Sequence, residues 1–417
     1  MSTTTNVPLT ERRYLAPFIL ITSLFFLWAF GVNLNDVLIP HFKKAFQLTD
    51  LQSSLIQAAF FGGYFLAALP AGWLMERIGY KKGILAGLAI CATGALLFIP
   101  SANALSYYFF LFALFVMACG QSFLEVAANP YVTILGPSDS SERRLNLAQS
   151  FNSVGAVATP YIGAAFILTN TRPGAAAAEE VQNVIGPYVV IAAVFVLVAV
   201  MIALTHLPET KREVVGESGA HPKLRDALRH KHLASGVIAQ FAYVGAQVGV
   251  GSFIIRFAEY LSPGMQDKDA SVYLKYHWIG FMIGRFAGSF LMKYVAPSRL
   301  LTLFAGCAFL CACAAMFASG TLPVWGLVMI GFFHSIMFPT IFALGIKGLG
   351  PYTKLGSSLL VMAIIGGAAF PALMGYVSDL TSIRSAFCIP LLCYLYIWYF
   401  AAKGSVPAVV EAETQAA

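Results

Sequence analysis

Hydrophobic residues along this chain are gathered into long runs that are separated by short polar segments. A run of about 20 apolar residues is long enough to cross a bilayer as a helix. Twelve such runs are present, at approximately 15–39, 52–75, 83–100, 105–135, 146–168, 185–206, 233–260, 271–294, 299–319, 323–346, 355–376 and 383–402. The pattern therefore predicts an all-α membrane protein with twelve transmembrane helices.

One long polar stretch, 207–232, interrupts the pattern and divides the predicted helices six and six. Short motifs recur in the same order on both sides of it, and Asn129-Pro130 echoes Phe338-Pro339. Such repetition indicates two halves that are related by an axis along the membrane normal, with substrate bound at their interface. We expect an N-terminal six-helix half at 1–206, a cytoplasmic linker at 207–232 and a C-terminal six-helix half at 233–417.

Composition and charge agree with a membrane protein. Of the 417 residues, 59% are hydrophobic and 11% are charged, whereas about a quarter are charged in soluble globular proteins. Lys and Arg cluster between the runs, about three times as often on one side as on the other, with Arg256 and Arg285 assigned to span ends. The positive-inside rule then places both termini in the cytoplasm, and the net charge of +7 needs no nucleic-acid partner.

The sequence offers little support for an enzyme. It contains no nucleophile constellation, metal-ligand cluster or phosphate-binding loop. The seven cysteines fall within apolar runs, where thiols usually act as small buried hydrophobic groups. We expect no catalytic residues, no metal site and no cofactor.

The most informative residue is Glu125, a carboxylate in the middle of the run 105–135. Inserting such a charge into a bilayer costs at least ~2.5 kcal/mol, and it is normally kept for a transport pathway or a proton relay. In the first run, Asn33 and Asp36 are three residues apart and share a helix face. Asp36 is predicted to be a second protonatable site nearer the outer surface. Alternatively, it caps its helix or pairs with Lys43 or Lys44.

A polar stripe opens the fifth run, where Asn146, Gln149, Asn152 and Ser153 recur at helical spacing. Amide groups offer donors and acceptors together, as recognition of several hydroxyl groups requires. The alternative is hydrogen bonding between helices, worth ~0.6 kcal/mol for each contact. Further amides that extend this polar inventory are Gln57 and Gln121.

The segment between the second and third runs carries glycines and charges in a fixed order. Gly72 allows two helices to approach closely, and Gly79 permits a tight turn. The charged residues can pair with helix ends on the cytoplasmic side, and they are Glu76, Arg77 and Lys81. This order resembles the loop motif of the major facilitator superfamily and predicts a gating role. The alternative is ordinary positive-inside charge.

Longer motifs support a more specific resemblance. They include Asn33-Leu-Asn35-Asp36, Leu124-Glu125-Val-Ala-Ala-Asn129-Pro130, Gln149-Ser-Phe-Asn152 and Tyr243-Val-Gly245-Ala-Gln247. With Ile283-Gly284-Arg285-Phe, they resemble the fucose permease branch of the major facilitator superfamily, which contains fucose, galactose and glucose proton symporters. The resemblance implies proton coupling by Asp36 and Glu125. It also implies that the amide of Asn152 lies near the sugar. The predicted sugar site comprises Asn33, Gln57, Gln121, Asn129, Gln149, Asn152, Tyr243 and Gln247.

Departures from that family pattern concentrate in the C-terminal half. Gly251 stands where the fucose permease has a large aromatic residue, and Met337-Phe338 replaces a Gln-Tyr pair. We consider His334 and Lys347 as further substrate contacts. Alternatively, His334 bonds a neighbouring helix. These departures leave the identity of the sugar open.

These observations together predict a proton-coupled symporter that imports a hexose or deoxyhexose, with L-fucose favoured. The predicted mechanism is alternating access by rocking of the two halves, and burial would favour the neutral form of Glu125 while sugar is enclosed. The alternatives are a glucose or galactose symporter, a facilitative uniporter and a drug antiporter. The expected partners are a monosaccharide, protons and the lipid bilayer, and the expected form is a monomer in a bacterial inner membrane.

Overall fold

The computed structural model describes residues 7–29, 46, 49–163, 182, 185–205, 207 and 223–407. The regular structure in these ranges is helical. The principal helices are α1 (Arg12–Ala29), α2 (Asp50–Asn103), α3 (Tyr107–Ile134), α4 (Ser141–Gly163), α5 (Ile185–Leu204), α6 (Lys231–Leu261), α7 (Asp267–Leu291), α8 (Pro297–Phe317), α9 (Leu322–His334), α10 (Met337–Ile346), α11 (Thr353–Met362), α12 (Gly366–Leu380) and α13 (Cys388–Tyr399). Shorter turns lie at Ser138–Ser140, Leu224–Ala227, Gly350–Tyr352, Ala363–Ile365, Ser385–Phe387 and Phe400–Gly404. The predicted all-α fold class is confirmed.

Nine segments of the described chain are long and apolar enough to cross a membrane. Twelve spans are expected from the sequence, and the difference has two physical causes. First, α2 contains two of the predicted spans. Second, α4 and α7 are missing from the nine because their polar and charged residues lower their hydropathy. The count of twelve and the cytoplasmic position of both termini remain predictions.

The long helix α2 reverses direction at one residue, Gly79. Its backbone has φ 82° and ψ 172°, while the residues on both sides are helical. A glycine adopts this positive φ without the steric cost that a Cβ atom would add. The sequence predicts a tight turn here, and the turn is present. It is shorter than expected, because the helices continue to within one residue of Gly79.

Lys81, just after the turn, fastens the hairpin to α5. Its Nζ atom donates to the carbonyl oxygens of Ala203 at 2.9 Å and Thr205 at 2.8 Å. The last carbonyl groups of a helix lack intrahelical partners, so a cation there satisfies them and opposes the helix dipole. On the other side of the turn, the Arg77 guanidinium lies 3.8 Å from the centroid of the Trp73 ring. The expected pairing of a cation with a helix end is therefore present.

Glycines bring α2 and α3 into backbone contact and thereby orient the acidic residue of α3. A Cβ atom added at Gly94 would lie 2.5 Å from the Met117 nitrogen, and one at Gly87 would lie 2.9 Å from Leu124 Cδ2. Small residues allow this close packing of membrane helices. Because Leu124 faces α2, the next residue, Glu125, is rotated by about 100° away from α2.

The tenth predicted span is broken in two, between α9 and α10. Pro339 has no backbone N–H and so cannot bond the carbonyl group of Ser335, four residues earlier. That carbonyl oxygen accepts a hydrogen bond from the Nε atom of Arg285 at 2.9 Å instead. The break therefore supplies an acceptor for a side chain of α7.

The eleventh predicted span is also discontinuous. A 3₁₀ turn at Ala363–Ile365 separates α11 from α12, and Ile364 lies on the wall of a central cavity. A short 3₁₀ segment inside a helix often marks a hinge. Both interruptions thus occur where the C-terminal helices border the cavity.

Candidate functional site

A cavity of about 450 Å³ lies between the helices of the two predicted halves. Its aromatic walls consist of Trp28, Phe60, Phe61, Tyr64, Trp278, Phe281 and Phe338. Its polar groups belong to Gln57, Glu125, Gln149, Asn152, Gln247, Ser252 and Arg285. A small-molecule site typically combines apolar and aromatic walls with a few polar groups that fix orientation.

Glu125 lines this cavity and is 8% exposed. Its Oε2 atom is buried, and no hydrogen-bond partner for it is found among the described residues. A buried carboxylate is costly as a charge unless it is paired. The side chain therefore brings a carboxyl group to the cavity wall, and one of its oxygens is not satisfied by the described residues. The coupling role itself remains a prediction.

Arg285 is a candidate site residue that the sequence analysis placed only near a span end. Its side chain is 4% exposed and lines the cavity. It donates from Nε to the Ser335 carbonyl oxygen and from Nη1 to Gln149, at 2.6 Å from the main-chain oxygen and 3.2 Å from Oε1. The available signal was its position, well inside the predicted span 271–294, where a charge is normally functional.

Arg285 and Glu125 both line the cavity. Both belong to the described part of the chain, yet they form no ion pair within 4 Å there. The Nε and Nη1 groups of Arg285 instead donate to neutral oxygen atoms of Ser335 and Gln149. The site therefore holds a carboxyl group and a guanidinium group that are not ion-paired.

The polar stripe of α4 divides between the two roles proposed for it. Gln149 and Asn152 line the cavity. Their amide groups are also anchored, because Gln149 Nε2 donates to Asn129 Oδ1 at 2.9 Å and Asn152 Nδ2 donates to the Phe25 carbonyl oxygen at 3.1 Å. Asn146, by contrast, donates to Thr340 Oγ1 at 3.1 Å, so the alternative of interhelical bonding holds for it.

Among the other residues predicted to bind the sugar, some line the cavity and others do not. Gln57 and Gln247 line the cavity, whereas Gln121, Asn129 and Tyr243 are buried outside its lining. Gln121 supports the wall indirectly, since its Oε1 accepts from the Tyr64 hydroxyl at 3.5 Å. That hydroxyl also accepts the Trp28 indole N–H at 3.2 Å. The last two predicted positions, Asn33 and Asp36, lie outside the described residues.

Neither of the two further candidate contacts lines the cavity. His334 is buried, and its Nε2 atom lies 2.7 Å from the hydroxyl of Tyr394 on α13. The alternative reading of His334 as an interhelical contact is the one that the structure supports. Lys347 forms an ion pair with Glu142, with 2.7 Å between Nζ and Oε1. Both side chains therefore act in helix association.

Contacts between the predicted halves gather at the end of the molecule that is expected to face the cytoplasm. The Lys347–Glu142 pair lies there, and Ser289 Oγ donates to the Arg143 carbonyl oxygen at 3.3 Å. A Cβ atom at Gly72 would overlap Ser358 Oγ, so the close approach predicted for Gly72 is present. The two predicted halves therefore contact each other at this end.

This chain is similar in sequence to known proteins over most of its length. The family description "Major Facilitator Superfamily" matches residues 21–364. A glucose/galactose transporter of Brucella abortus is 42% identical over 407 residues, which cover 96% of this chain and 98% of that protein. The L-fucose-proton symporter of Escherichia coli is 43% identical over 409 residues, which cover 94% and 93%.

A solved structure agrees with the sequence comparison. The crystal structure of the major facilitator superfamily transporter FucP in the outward conformation superposes with a TM-score of 0.87 at 42% identity, covering 94% of this chain and 99% of FucP. The resemblance of the sequence to this superfamily is confirmed.

Proposed function

This chain belongs to the Major Facilitator Superfamily, and from that premise we propose that it is a proton-coupled symporter that imports a monosaccharide. The substrate is a hexose or deoxyhexose, with L-fucose favoured and D-glucose or D-galactose as alternatives. Relatives of nearly equal identity are named for L-fucose and for glucose and galactose. The aromatic and amide groups of the cavity suit the apolar face and the hydroxyl groups of such a sugar.

One observation carries this proposal. Glu125 stands at the wall of a cavity that has sugar-binding chemistry, with one oxygen unpartnered among the described residues. A neutral sugar alone does not require a carboxylate in the membrane interior, and such residues usually belong to ion or proton pathways. Glu125 therefore binds the proton that travels with the sugar, and Asp36 delivers it from the outer side.

Transport follows alternating access. Sugar and proton enter the cavity while its cytoplasmic end is held closed by the Lys347–Glu142 pair and by Arg285 on Gln149. Rocking of the half at 1–206 against the half at 233–417 separates these contacts and opens the cytoplasmic side. Gly72, Glu76, Arg77, Gly79 and Lys81 form the gating loop.

The cellular setting follows from the same premise. The chain is a multi-pass membrane protein, and we place it in a bacterial inner membrane as a monomer surrounded by lipid. Both termini and the linker at 207–232 lie in the cytoplasm.

Uptake into reconstituted vesicles tests the proposal. Labelled L-fucose, D-galactose and D-glucose are offered with and without an inwardly directed proton gradient. The native chain accumulates one of them only when the gradient is present. Glu125→Gln, which mimics the protonated acid, keeps sugar exchange without a gradient but loses accumulation.

The matched control is Glu259→Gln, which alters a carboxylate on α6 that does not line the cavity. It is expected to keep both activities. If Glu125→Gln abolishes exchange as completely as accumulation, then Glu125 is a sugar ligand or a structural residue and the coupling role is rejected. Accumulation by the native chain without a proton gradient would reject symport itself.

A further inference from the structure

Two tryptophans line the cavity, and they differ in whether the indole N–H has a hydrogen-bond partner. Trp28, on α1, is 2% exposed and donates its N–H to the Tyr64 hydroxyl. Trp278, on α7, is half-buried, and its N–H has no partner among the described residues. An indole N–H is only a donor and usually finds an acceptor when it is sheltered. Trp278 therefore lines the cavity and carries a donor that no described group accepts.

The ring of Trp278 is positioned from one side only. It makes edge contacts with Phe281 and His277, each at 5.5 Å between centroids and with interplanar angles of 78° and 85°. Among the described aromatic rings, none stacks in parallel on it. Its position is thus fixed by neighbours that leave a face available for a ligand.

Gly251, on α6, provides the space into which this ring projects. A Cβ atom there would meet only Trp278, at 3.8 Å from Cζ2. Two other glycines of α6 differ, since a Cβ atom at Gly249 would lie 2.5 Å from Met374 Sδ and one at Gly245 would overlap Phe370. Gly245 and Gly249 are packing glycines, whereas Gly251 opens the cavity.

The groups around this space define its ligand. Gln247 and Ser252 line the same wall and carry polar groups, while Trp278 adds a flat apolar surface with a donor at its edge. A pyranose matches this arrangement, because one of its faces carries C–H groups and its rim carries hydroxyl oxygens that accept hydrogen bonds.

We propose that Trp278, lying over Gly251, is the aromatic platform of the C-terminal half for the sugar ring, and that this pair of positions determines which hexose is accepted. The inference rests on the proposed function and specifies its substrate contact. The N–H of Trp278 donates to one hydroxyl group, and the open space at Gly251 sets the allowed orientation of that hydroxyl.

Equilibrium binding to the purified full chain tests this inference. The ligands are L-fucose, D-galactose, D-glucose and their single-deoxy analogues. Trp278→Ala removes stacking and the donor, and it is expected to weaken binding at least tenfold, about 1.4 kcal/mol. Trp278→Phe keeps an aromatic face and weakens binding about threefold to tenfold, except for the one deoxy analogue that lacks the bonded hydroxyl.

Gly251→Leu fills the open space, and it is expected to change the order of preference among the three hexoses. The matched controls are Trp398→Phe and Gly375→Leu, at positions outside the cavity lining. A Cβ atom at Gly375 meets nothing within 4 Å, and both controls should bind like the native chain. If Trp278→Ala does not fold, then Trp278→Phe and Gly251→Leu decide the matter.

Binding within twofold of native for every sugar in the Trp278 variants would overturn the inference. So would a Trp278→Phe loss that is equal for all deoxy analogues. Because binding needs no gradient, the two proposals fail separately: binding without gradient-driven accumulation rejects symport alone. A native chain that binds none of these sugars rejects both.

Discussion

Arg285 and Glu125 line the same cavity without forming an ion pair, because Arg285 donates hydrogen bonds to other groups. Its guanidinium is held by oxygens of Ser335 and Gln149, and these bonds join α7 to α4 across the two predicted halves. The bonds of Nε and Nη1 therefore hold the guanidinium in place without a contact to Glu125. A guanidinium presents several N–H donors in a rigid fork, and a lysine ammonium cannot reproduce that geometry.

The variant Arg285→Lys tests whether a positive charge at this position is sufficient or whether the hydrogen bonds of the guanidinium are also required. The positive charge at this position is kept, but the simultaneous bonds to Gln149 and Ser335 are lost. A hydrogen bond to a charged group contributes about 1.5–3 kcal/mol, so accumulation should fall at least tenfold. The initial rate of gradient-driven uptake in vesicles measures this, with sugar binding measured in parallel.

The matched control for this prediction is Arg256→Lys. Arg256 is exposed on α6, and its guanidinium lies 5.2 Å from the centroid of the Phe253 ring. That variant should transport like the native chain. Native accumulation by Arg285→Lys would show that charge alone suffices and that the bridge between the helices has no role.

At the scale of helices, the break between α9 and α10 connects a sequence feature to the site. Pro339 has no N–H group to donate to the Ser335 carbonyl oxygen, and the Nε group of Arg285 donates to that oxygen instead. The 3₁₀ turn at Ala363–Ile365 interrupts the following span beside the same cavity. Interrupted helices that line a cavity offer backbone polar groups that a continuous helix would satisfy internally.

Pro339→Ala should restore an N–H group that competes with Arg285 for the Ser335 carbonyl. A more continuous helix is expected, with a melting temperature equal to or above that of the native chain. Uptake should nevertheless fall several-fold, because Arg285 loses one of its fixed acceptors. Thermal unfolding and uptake, measured on the same preparation, check the two parts.

Pro323→Ala is the control for this substitution. Pro323 lies in the first turn of α9, where a backbone N–H has no helical partner, so uptake should not change. Equal losses in both proline variants would mean that the effect is a general one on α9.

Features that depend on local residue types were predictable from the sequence, whereas features that depend on contacts between distant residues were not. The turn at Gly79 and the long apolar helices depend on local residue types, and they were predictable. The choice of Glu125 as a candidate site residue was possible as well, since a carboxylate in an apolar run is costly in any orientation. The position of Arg285 was not, because its acceptors come from Gln149 and Ser335, which are remote in the chain.

The same limit applies to His334 and Lys347, whose protein partners the sequence does not reveal. Each residue type is suited to binding a sugar, and sequence alone does not reveal a closer protein partner. Their partners, Tyr394 and Glu142, are 60 and 205 residues away. Helix packing, which brings these pairs together, decides that they stabilise helix contacts outside the cavity.

For the molecule as a whole, closure at the predicted cytoplasmic end is the feature with most consequence for transport. Glu142 is 2% exposed in its side chain and pairs with Lys347, which is 45% exposed. The pair is therefore half-buried: the Glu142 carboxylate is shielded from solvent, and the Lys347 ammonium keeps contact with it. Removing one partner leaves the buried carboxylate unpaired, which is costly, so the pair favours contact between the two halves.

Reversing one charge should open this end more often. We expect Lys347→Glu to increase the accessibility of a cysteine placed at Ser289, and the double variant Glu142→Lys with Lys347→Glu to restore protection. The measurement is the rate of labelling by a membrane-impermeant maleimide in inside-out vesicles, with the native cysteines replaced by alanine. Ser289 bonds the Arg143 carbonyl in the closed arrangement and is 4% exposed.

Unchanged labelling in Lys347→Glu would exclude the ion pair as a determinant of closure. The same experiment on Lys403→Glu, near the C-terminal end of the last helical segment, controls for a general effect of surface charge.

The tryptophans also form two groups that should differ in how strongly lipid quenches their fluorescence. Trp73, Trp325 and Trp398 are 53%, 45% and 49% exposed on the outside of the helix bundle, whereas Trp28 and Trp278 line the cavity. In a bilayer of brominated lipids, emission from the outer three is quenched by contact, while the inner two are shielded. The remaining fluorescence then originates from the cavity, so the chain carries its own reporter of what occupies that space.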